Sequence, residues 1–537
     1  MNTTGSVWQK WDLHIHTPAS YEWRGQRFQG QTQEQNDVLC KSIVDKMNEL
    51  DVVAFCIMDY WIFDGYITLR EYLARHPDTL TKQIFPGIEL RMAAPTDFRL
   101  NTHVLLSEEV SNESLGHFIS QLRLADTGEK PPTRQHLIEL GRSFDASKLN
   151  LYGCTVADKP NEEKMLLVGL KSALVTRESV NKAIDVVGKE HCIIIQPYDT
   201  NDGLEDLEWQ CHPYTDSYLM KWADCFETRH PVQVDLFLGH GHKTKAHVGP
   251  QFIENLGGYP KPVFSGSDAH RIADYGVYPS NRATWIKAQP NFKGLKQVCH
   301  EPGLRCHIGS LPPKLEHVSS NKTKYMKNLN LSKINGSALT ETWFDGASLD
   351  LNPGLIAIIG NKGSGKSALA DILALAGNSH CTKMEFLNDK RFRSTGNKAK
   401  HFLAILNWHA GPAVPVTLDR NADPLQPERV RYLPQHFIED LCNEIATGND
   451  TSFGKELGKV IFSHVSLEDQ LGMGTLQELQ DYLIGAKKNA IQQLQQTLHT
   501  LNDTIVRNET EAGEDTLKGY NTAHTFEDER AGGARQD

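Results

Sequence analysis

The sequence predicts an α/β protein: two α/β units in series, then a long amphipathic helix. Three observations predict it. Over residues 1–312, short apolar runs recur and several end in a polar cluster. A glycine-rich loop at 360–367 follows the apolar run 355–359 and precedes the helical stretch ALADILALAG. From Leu476 onward, apolar residues fall at helical spacing with Gln, Asn and Thr between them.

The runs of the first unit are WDLHIHT, VVAFCIMDY, QIFPGIEL, THVLL, HCIIIQPYD, ADCFET and PVFSGSDAH. Strands that carry polar side chains at their C-terminal ends are expected in a barrel or an open parallel sheet. A helical stretch from Ser179 to Lys189 precedes the fifth run, and the long gap between His103 and Cys192 predicts an insertion. Residues 313–340 are rich in Pro, Lys, Asn and Ser and read as a linker. The second unit is expected over 341–470, with a strand at Leu355 to Ile359 and a helix opening near Lys366.

Composition narrows the classes of function. No run of about 18 apolar residues predicts a membrane span, and the first residues hold no apolar signal-peptide core. The ten cysteines are widely scattered, which suits a reduced, cytoplasmic chain better than a disulfide framework. Net charge is -11, so a nucleic-acid contact would need a local basic surface.

Gly360-Asn361-Lys362-Gly363-Ser364-Gly365-Lys366-Ser367 satisfies G-x-x-x-x-G-K-[ST]. The glycines let backbone N–H groups turn toward phosphate oxygens. Lys366 faces the β and γ phosphates, Ser367 offers a hydroxyl to Mg²⁺, and the following helix directs its positive end at the anion. ATP with Mg²⁺ is the expected ligand. Hydrolysis normally also needs an acid at the end of a later apolar strand. No such strand end, and no Leu-Ser-Gly-Gly signature, occurs between 368 and 537. Gln435, in Arg431-Tyr-Leu-Pro-Gln435, is either a nucleotide-loop glutamine or an ordinary strand-end residue.

Ile491, Leu494, Leu498, Leu501 and Ile505 are spaced 3-4-3-4, a heptad seam within the expected helix 471–508. The alternative is one amphipathic helix packed on its own domain. Residues 509–537 lose the periodicity, carry eight acidic and three basic residues, and are expected to be disordered. Strand, phosphate loop, Gln435 and incipient coiled coil together resemble the N-terminal half of an ABC-type ATPase of the SMC and RecF kind. The resemblance implies an outward coiled-coil arm on which this chain stops. A second copy, a partner chain or a longer version would then supply the other half.

The first unit also concentrates possible metal ligands. His14 and His16 alternate on one strand and so face one side. Asp59, Glu89, His103, Asp268 and His270 each sit at the end of an apolar run. Mixed imidazole and carboxylate donors suit Zn²⁺, Mn²⁺ or Fe²⁺. DLHIHT, GIEL, HVLL and GSDAH as a set resemble the PHP phosphoesterase family, whose members are distorted seven-stranded barrels holding up to three metals. A PHP barrel joined to an SMC-like ATPase resembles the TrlF-type proteins, which are associated with DNA transactions and phage defence.

The resemblance assigns His14, His16, Glu89 and Asp268 to one metal. It assigns Glu89, His103 and position 196 to a second. His270, position 60 and Glu22 fall to a third. Asp59, Glu89, His103 and His270 are the expected catalytic groups. Position 196 is Gln and position 60 is Tyr, where the family pattern has His. An amide is a poor ligand, and a phenol must first lose a proton of pKa near 10.

Weaker signals are His240, His242 and His247, the pairs Cys299-His300 and Cys306-His307, and the lysines 314, 322, 324, 327 and 333. The lysines either touch phosphates or belong to a solvated linker. The expected function is an ATP-binding, metal-dependent phosphoesterase or nuclease acting on nucleic acid. A non-catalytic nucleotide-binding DNA sensor and a small-molecule phosphatase are the alternatives.

Overall fold

The computed structural model describes every residue except 1–3, 95–99, 126–127, 201, 207–212, 242–247, 382, 395, 412–413, 435–451 and 533–537. Gln435, His242 and His247 therefore lie outside the described residues. The chain divides into two compact units, one of residues 1–366 with 396–421 and one of 367–395 with 422–537.

The first unit is built on a mixed sheet of nine strands. In chain order they are β1 (Trp8–Ile15), β2 (Ala54–Tyr60), β3 (Gln83–Met92), β4 (Leu100–Leu106), β5 (Cys192–Pro197), β6 (Cys225–Glu227), β7 (Val263–Phe264), β8 (Ala283–Lys287) and β9 (Cys306–Gly309). Their spatial order is β7-β6-β5-β4-β3-β2-β1-β8-β9. All seven expected runs are strands. β8 and β9 were not expected; they pair antiparallel with β1 and with each other, so the sheet has nine strands rather than seven. They also bring the two ends of the sheet together, where Cys306 Sγ donates to the Val263 carbonyl at 3.1 Å. The result is a nearly closed, barrel-like sheet.

Alternation along the strands sorts the side chains. Trp11, Leu13, Cys56, Met58, Phe85, Leu105, Ile193, Ile195 and Phe264 fill one apolar cluster on one face. Ile15, Phe55, Ile57, Ile88, Val104 and Ile194 join the larger cluster formed with the surrounding helices. The expected helix before β5 runs Arg177–Val187, capped by Thr176. The insertion between β4 and β5 carries the helices Asn112–Gln121, Arg134–Ser143, Ala146–Leu151 and Glu162–Ser172 as well.

Residues 313–340 are not a structureless linker. Pro313 opens the helix Pro313–Ser320 at a position where a missing N–H costs nothing. β10 (Met326–Lys333) then alternates half-exposed polar residues with buried Leu329 and Leu331. Polar composition hid that alternation. β10 is central in an antiparallel sheet of order β11-β10-β12-β13, where β11 is Ser348–Asp350, β12 Phe402–Trp408 and β13 Val416–Thr417.

Two further expectations fail. Leu355 to Ile359 forms no strand. Among the described residues no strand pairs with it, and Leu355 and Ile359 are 97% and 89% exposed. The stretch 509–537 is helical as far as Gly532, as part of one helix, Leu476–Gly532, of 57 residues. Losing the apolar period removes a packing face but not helical propensity, and no proline interrupts the segment. The apolar seam is not packed on its own unit, since Ile491 to Ile505 stay at least 53% exposed at each seam position.

Candidate metal centre and phosphate loop

Within the first unit, a cluster of histidines and acids gathers at one rim of the sheet, at or just past the C-terminal ends of β1, β3, β6 and β7, with His103 on the antiparallel β4 opposite Glu89. The register of β1 shifts between Asp12 and Ile15. Such an irregularity re-aims side chains, and it turns His14 and His16 toward the strand ends after Trp11 and Leu13 have entered the core. The loop after β7 closes over them. Asp268 N donates to the His14 carbonyl at 2.9 Å, and His16 N to the Ala269 carbonyl at 3.0 Å. Gly266 makes this approach possible, because a Cβ there would lie 2.3 Å from His14 Cβ. Asp268 itself sits at φ 51°, a left-handed conformation that a non-glycine residue holds only when its surroundings impose it.

Four donor atoms converge. His14 Nε2 lies 3.4 Å from Glu89 Oε2 and 3.6 Å from Asp268 Oδ1. His16 Nε2 lies 3.6 Å and 3.5 Å from the same two oxygens. None of His14 Nε2, His16 Nε2 and Glu89 Oε2 has a hydrogen-bond partner, although all are buried. Ligand bonds of about 2.0–2.1 Å in a tetrahedron put neighbouring ligand atoms roughly 3.3–3.4 Å apart. Each histidine Nε2 stands off both carboxylates by that edge to within a few tenths of an ångström. His14, His16 and Glu89 form one mutually close set of donors and His16, Asp268 and His270 another, a donor chemistry that suits a divalent metal.

Glu227, at the end of β6, went unnoticed as a site residue. Its carboxylate lies 3.0 Å from His14 Nδ1 and 3.3 Å from His103 Nδ1. It thereby fixes both rings with their Nε2 atoms toward Glu89, as carboxylates do behind metal-ligating histidines. The polar end of ADCFET was its only sequence signal. His103 Nε2 lies 3.5 Å from Glu89 Oε1, which also accepts from Asn101 Nδ2 at 2.6 Å. His270 Nε2 lies 3.4 Å from Asp268 Oδ1, and its ring stacks on His16 at 4.2 Å.

Asp59 stands behind the cluster rather than in it. It accepts from Thr17 N at 2.8 Å and Thr17 Oγ1 at 2.6 Å, and lies 3.8 Å from His16 Nδ1. Tyr60 stacks on His16, and burial followed by the charge of Glu89 pushes its hydroxyl far above the ordinary range, so it stays protonated. Gln196 is turned away from the centre. Its Oε1 accepts from Thr102 Oγ1 at 2.8 Å, and its Nε2 donates to the Asn101 carbonyl at 2.5 Å. Glu22 lines the pocket and pairs with Lys171 at 3.5 Å.

Burial alone would lower the histidines, but Glu227, Glu89 and Asp268 outweigh it and hold His14 well above its usual range. His16 is raised to about 9 by Asp268 and Asp59 against its burial. Conversely, burial raises Glu227, yet His14 and His103 bring it down to about 2. Glu89 and Asp268 are lowered further by the same histidines and their neighbours. The acids and imidazoles thus stabilise one another's charged forms, with the protonated histidines as counter-charges to the buried carboxylates. The pocket over the cluster encloses about 150 Å³, and its rim includes Arg229, 3.7 Å from Asp268 Oδ2.

Of the weaker signals, His240 is an exposed residue 3.7 Å from Asp235. Cys299 and Cys306 do not join His300 and His307 in any His, Cys and acid cluster among the described residues.

The phosphate loop has the backbone its glycines require. Gly363 and Gly365 lie at φ 85° and 92°. Lys366 Nζ donates to the carbonyls of Gly360 at 2.8 Å and Asn361 at 2.9 Å. The helix Lys366–Ala376 begins directly at the loop's end.

No protein-family model and no curated protein matches the chain. Among solved structures, a candidate metal-dependent phosphoesterase from Bifidobacterium adolescentis is similar at 13% identity and a TM-score of 0.27, covering 49% of this chain and 88% of that one. An amidohydrolase from Chromobacterium violaceum, with bound sulfate and no metal, is similar at 12% identity and a TM-score of 0.29, with the same coverage. At this degree of likeness neither transfers an activity to this chain. No helix among the described residues is long and apolar enough to cross a membrane.

Proposed function

We propose that the barrel-like unit is a divalent-metal-dependent phosphoesterase acting on nucleic acid, in a chain whose phosphate loop binds ATP with Mg²⁺. The observation that carries the first half is the convergence of His14 Nε2, His16 Nε2, Glu89 Oε2 and Asp268 Oδ1 at 3.4–3.6 Å, three of them buried without partners. A bound divalent ion would polarise a phosphoryl oxygen and lower the pKa of a water beside it. The chain's own residues do the rest. Glu227 holds the imidazoles of His14 and His103 in place, and the Asp59 carboxylate adds its charge behind His16. Arg229, at the rim, is the cation positioned to orient a phosphate. Glu89 and His103 provide donors for a neighbouring ion.

Phosphodiester hydrolysis by the full chain in Mn²⁺ tests this reading. We expect cleavage of a labelled oligonucleotide that chelator abolishes, and that Asp268→Asn lowers by about a hundredfold or more. Cleavage that survives both would contradict it. One observation favours a second reading, a nucleotide-binding sensor with a catalytically silent barrel. Tyr60 and Gln196 occupy two positions where the resemblance implies ligands, and Gln196 is committed to Thr102 and Asn101. Metal binding without cleavage would select that reading.

A further inference from the structure

A second concave site lies in the first unit, lined by residues other than those of the metal cluster. It encloses about 270 Å³. Lys287 from the end of β8, Lys314 from the helix Pro313–Ser320, and Lys327 from β10 all line it, with His409 just past β12. Trp8, the first residue of β1, supplies an aromatic wall. Asp350 is the only acidic residue among those lining it, against three lysines.

The site is assembled, not accidental crowding on one helix. Asn352 fixes the floor: its Nδ2 donates to the carbonyls of Thr4 at 3.0 Å and Ser6 at 2.8 Å, while its Oδ1 accepts from Gly354 N at 2.8 Å. Gly354 leaves room for Lys287, whose Nζ would lie 3.4 Å from a Cβ there. Lys314 Nζ is held 3.2 Å from Tyr325 Oη and lies over its ring. None of the three lysines makes an ion pair with a carboxylate among the described residues. The local field is positive: burial first, then Lys327 and Lys322, hold the His409 imidazole below its ordinary range. Bringing like charges to one cavity costs free energy unless an anion relieves it.

We infer that this cavity binds a nucleoside phosphate, the phosphate among Lys287, Lys314 and Lys327 and the ring against Trp8. A base offers a flat face to an aromatic wall, and lysine serves a phosphate as a point charge. A free mononucleotide and the phosphorylated end of a strand share this chemistry. The inference does not depend on the proposed hydrolysis, since none of these residues belongs to the metal cluster or the phosphate loop.

Calorimetry on the full chain tests it, using the Lys366→Ala protein after chelator treatment so that the phosphate loop and metal cluster are silent. The probes are AMP, inorganic pyrophosphate, and short oligothymidylates with either a 5′-phosphate or a 5′-hydroxyl. AMP should bind, more weakly as salt rises. Adding Lys287→Gln and Lys327→Gln should weaken AMP by about tenfold or more, since each removes a charged partner of the phosphate. Trp8→Leu should weaken AMP but not pyrophosphate. Oligonucleotide binding tighter than AMP and lost with the 5′-phosphate assigns the site to a strand end; equal or tighter AMP binding assigns it to a free nucleotide. AMP that fails to bind, or binds the lysine double variant unchanged while its circular dichroism matches the parent, overturns the inference.

Discussion

Glu227 shows how much of the metal cluster depends on a side chain that need not touch the ion. It spans His14 Nδ1 and His103 Nδ1 at 3.0 and 3.3 Å, and both histidines aim their other nitrogen at Glu89. Glu227→Gln keeps the shape but removes the charge that orients both rings. Metal affinity should fall by roughly 10–100-fold, with the fold intact, as for other partners behind metal-bound histidines. Titration calorimetry with Zn²⁺ or Mn²⁺ checks this, and an unchanged affinity would show that Glu227 is only packing. His14, His16, Glu89, His103, Asp268 and His270 were legible because each sits at one end of an apolar run; all but His103 lie at or just past a strand's C-terminus, and His103 reaches the same rim from the antiparallel β4, opposite Glu89. Glu227 was less legible because one acid after CF carries no spacing pattern. Asp59 was legible as an acid at the end of an apolar run, expected to be catalytic, but not as a residue standing behind His16, because that depends on where Thr17 places its N–H and hydroxyl.

Elements divide by what their patterns encode. The seven strands of the barrel-like sheet could be read because each is a continuous apolar run buried on both faces, as expected for strands covered by helices. β8 and β9 are short and mixed, and β10 hides its alternation among asparagines and lysines. The run Leu355 to Ile359 reads as a buried strand, yet burial needs neighbouring strands, and among the described residues it has none. The helix Leu476–Gly532 is about 85 Å long at 1.5 Å per residue. A helix that long with an exposed apolar seam draws little stability from propensity alone. We expect it to pair, with a second copy or with a partner chain. Sedimentation should show a concentration-dependent oligomer, or a stable complex with such a partner, and Leu494→Ser with Leu501→Ser should disrupt it. A monomer at every concentration whose helix content is indifferent to both substitutions and to partner would contradict this.

At the scale of the whole molecule, one chain carries both a glycine-rich loop of phosphate-binding pattern and a cluster of His and acid side chains suited to a metal. The loop's glycines hold left-handed φ values without cost, and Lys366 rests on loop carbonyls that a nucleotide would displace. ATP binding should therefore vanish in Lys366→Ala. Turnover by the 537-residue chain alone should be very slow, because no run of four apolar residues followed by Asp-Glu occurs after Ser367 in the sequence. Robust hydrolysis that Lys366→Ala abolishes would reveal an acid not identified here. The central claim is the metal. Elemental analysis of the full chain purified without chelator tests it most directly. It should find at least one transition-metal ion per chain, and Zn, Mn or Fe should be depleted in His14→Ala. Protein of native fold that holds no transition metal, and takes none up when Zn²⁺, Mn²⁺ or Fe²⁺ is supplied, would contradict it.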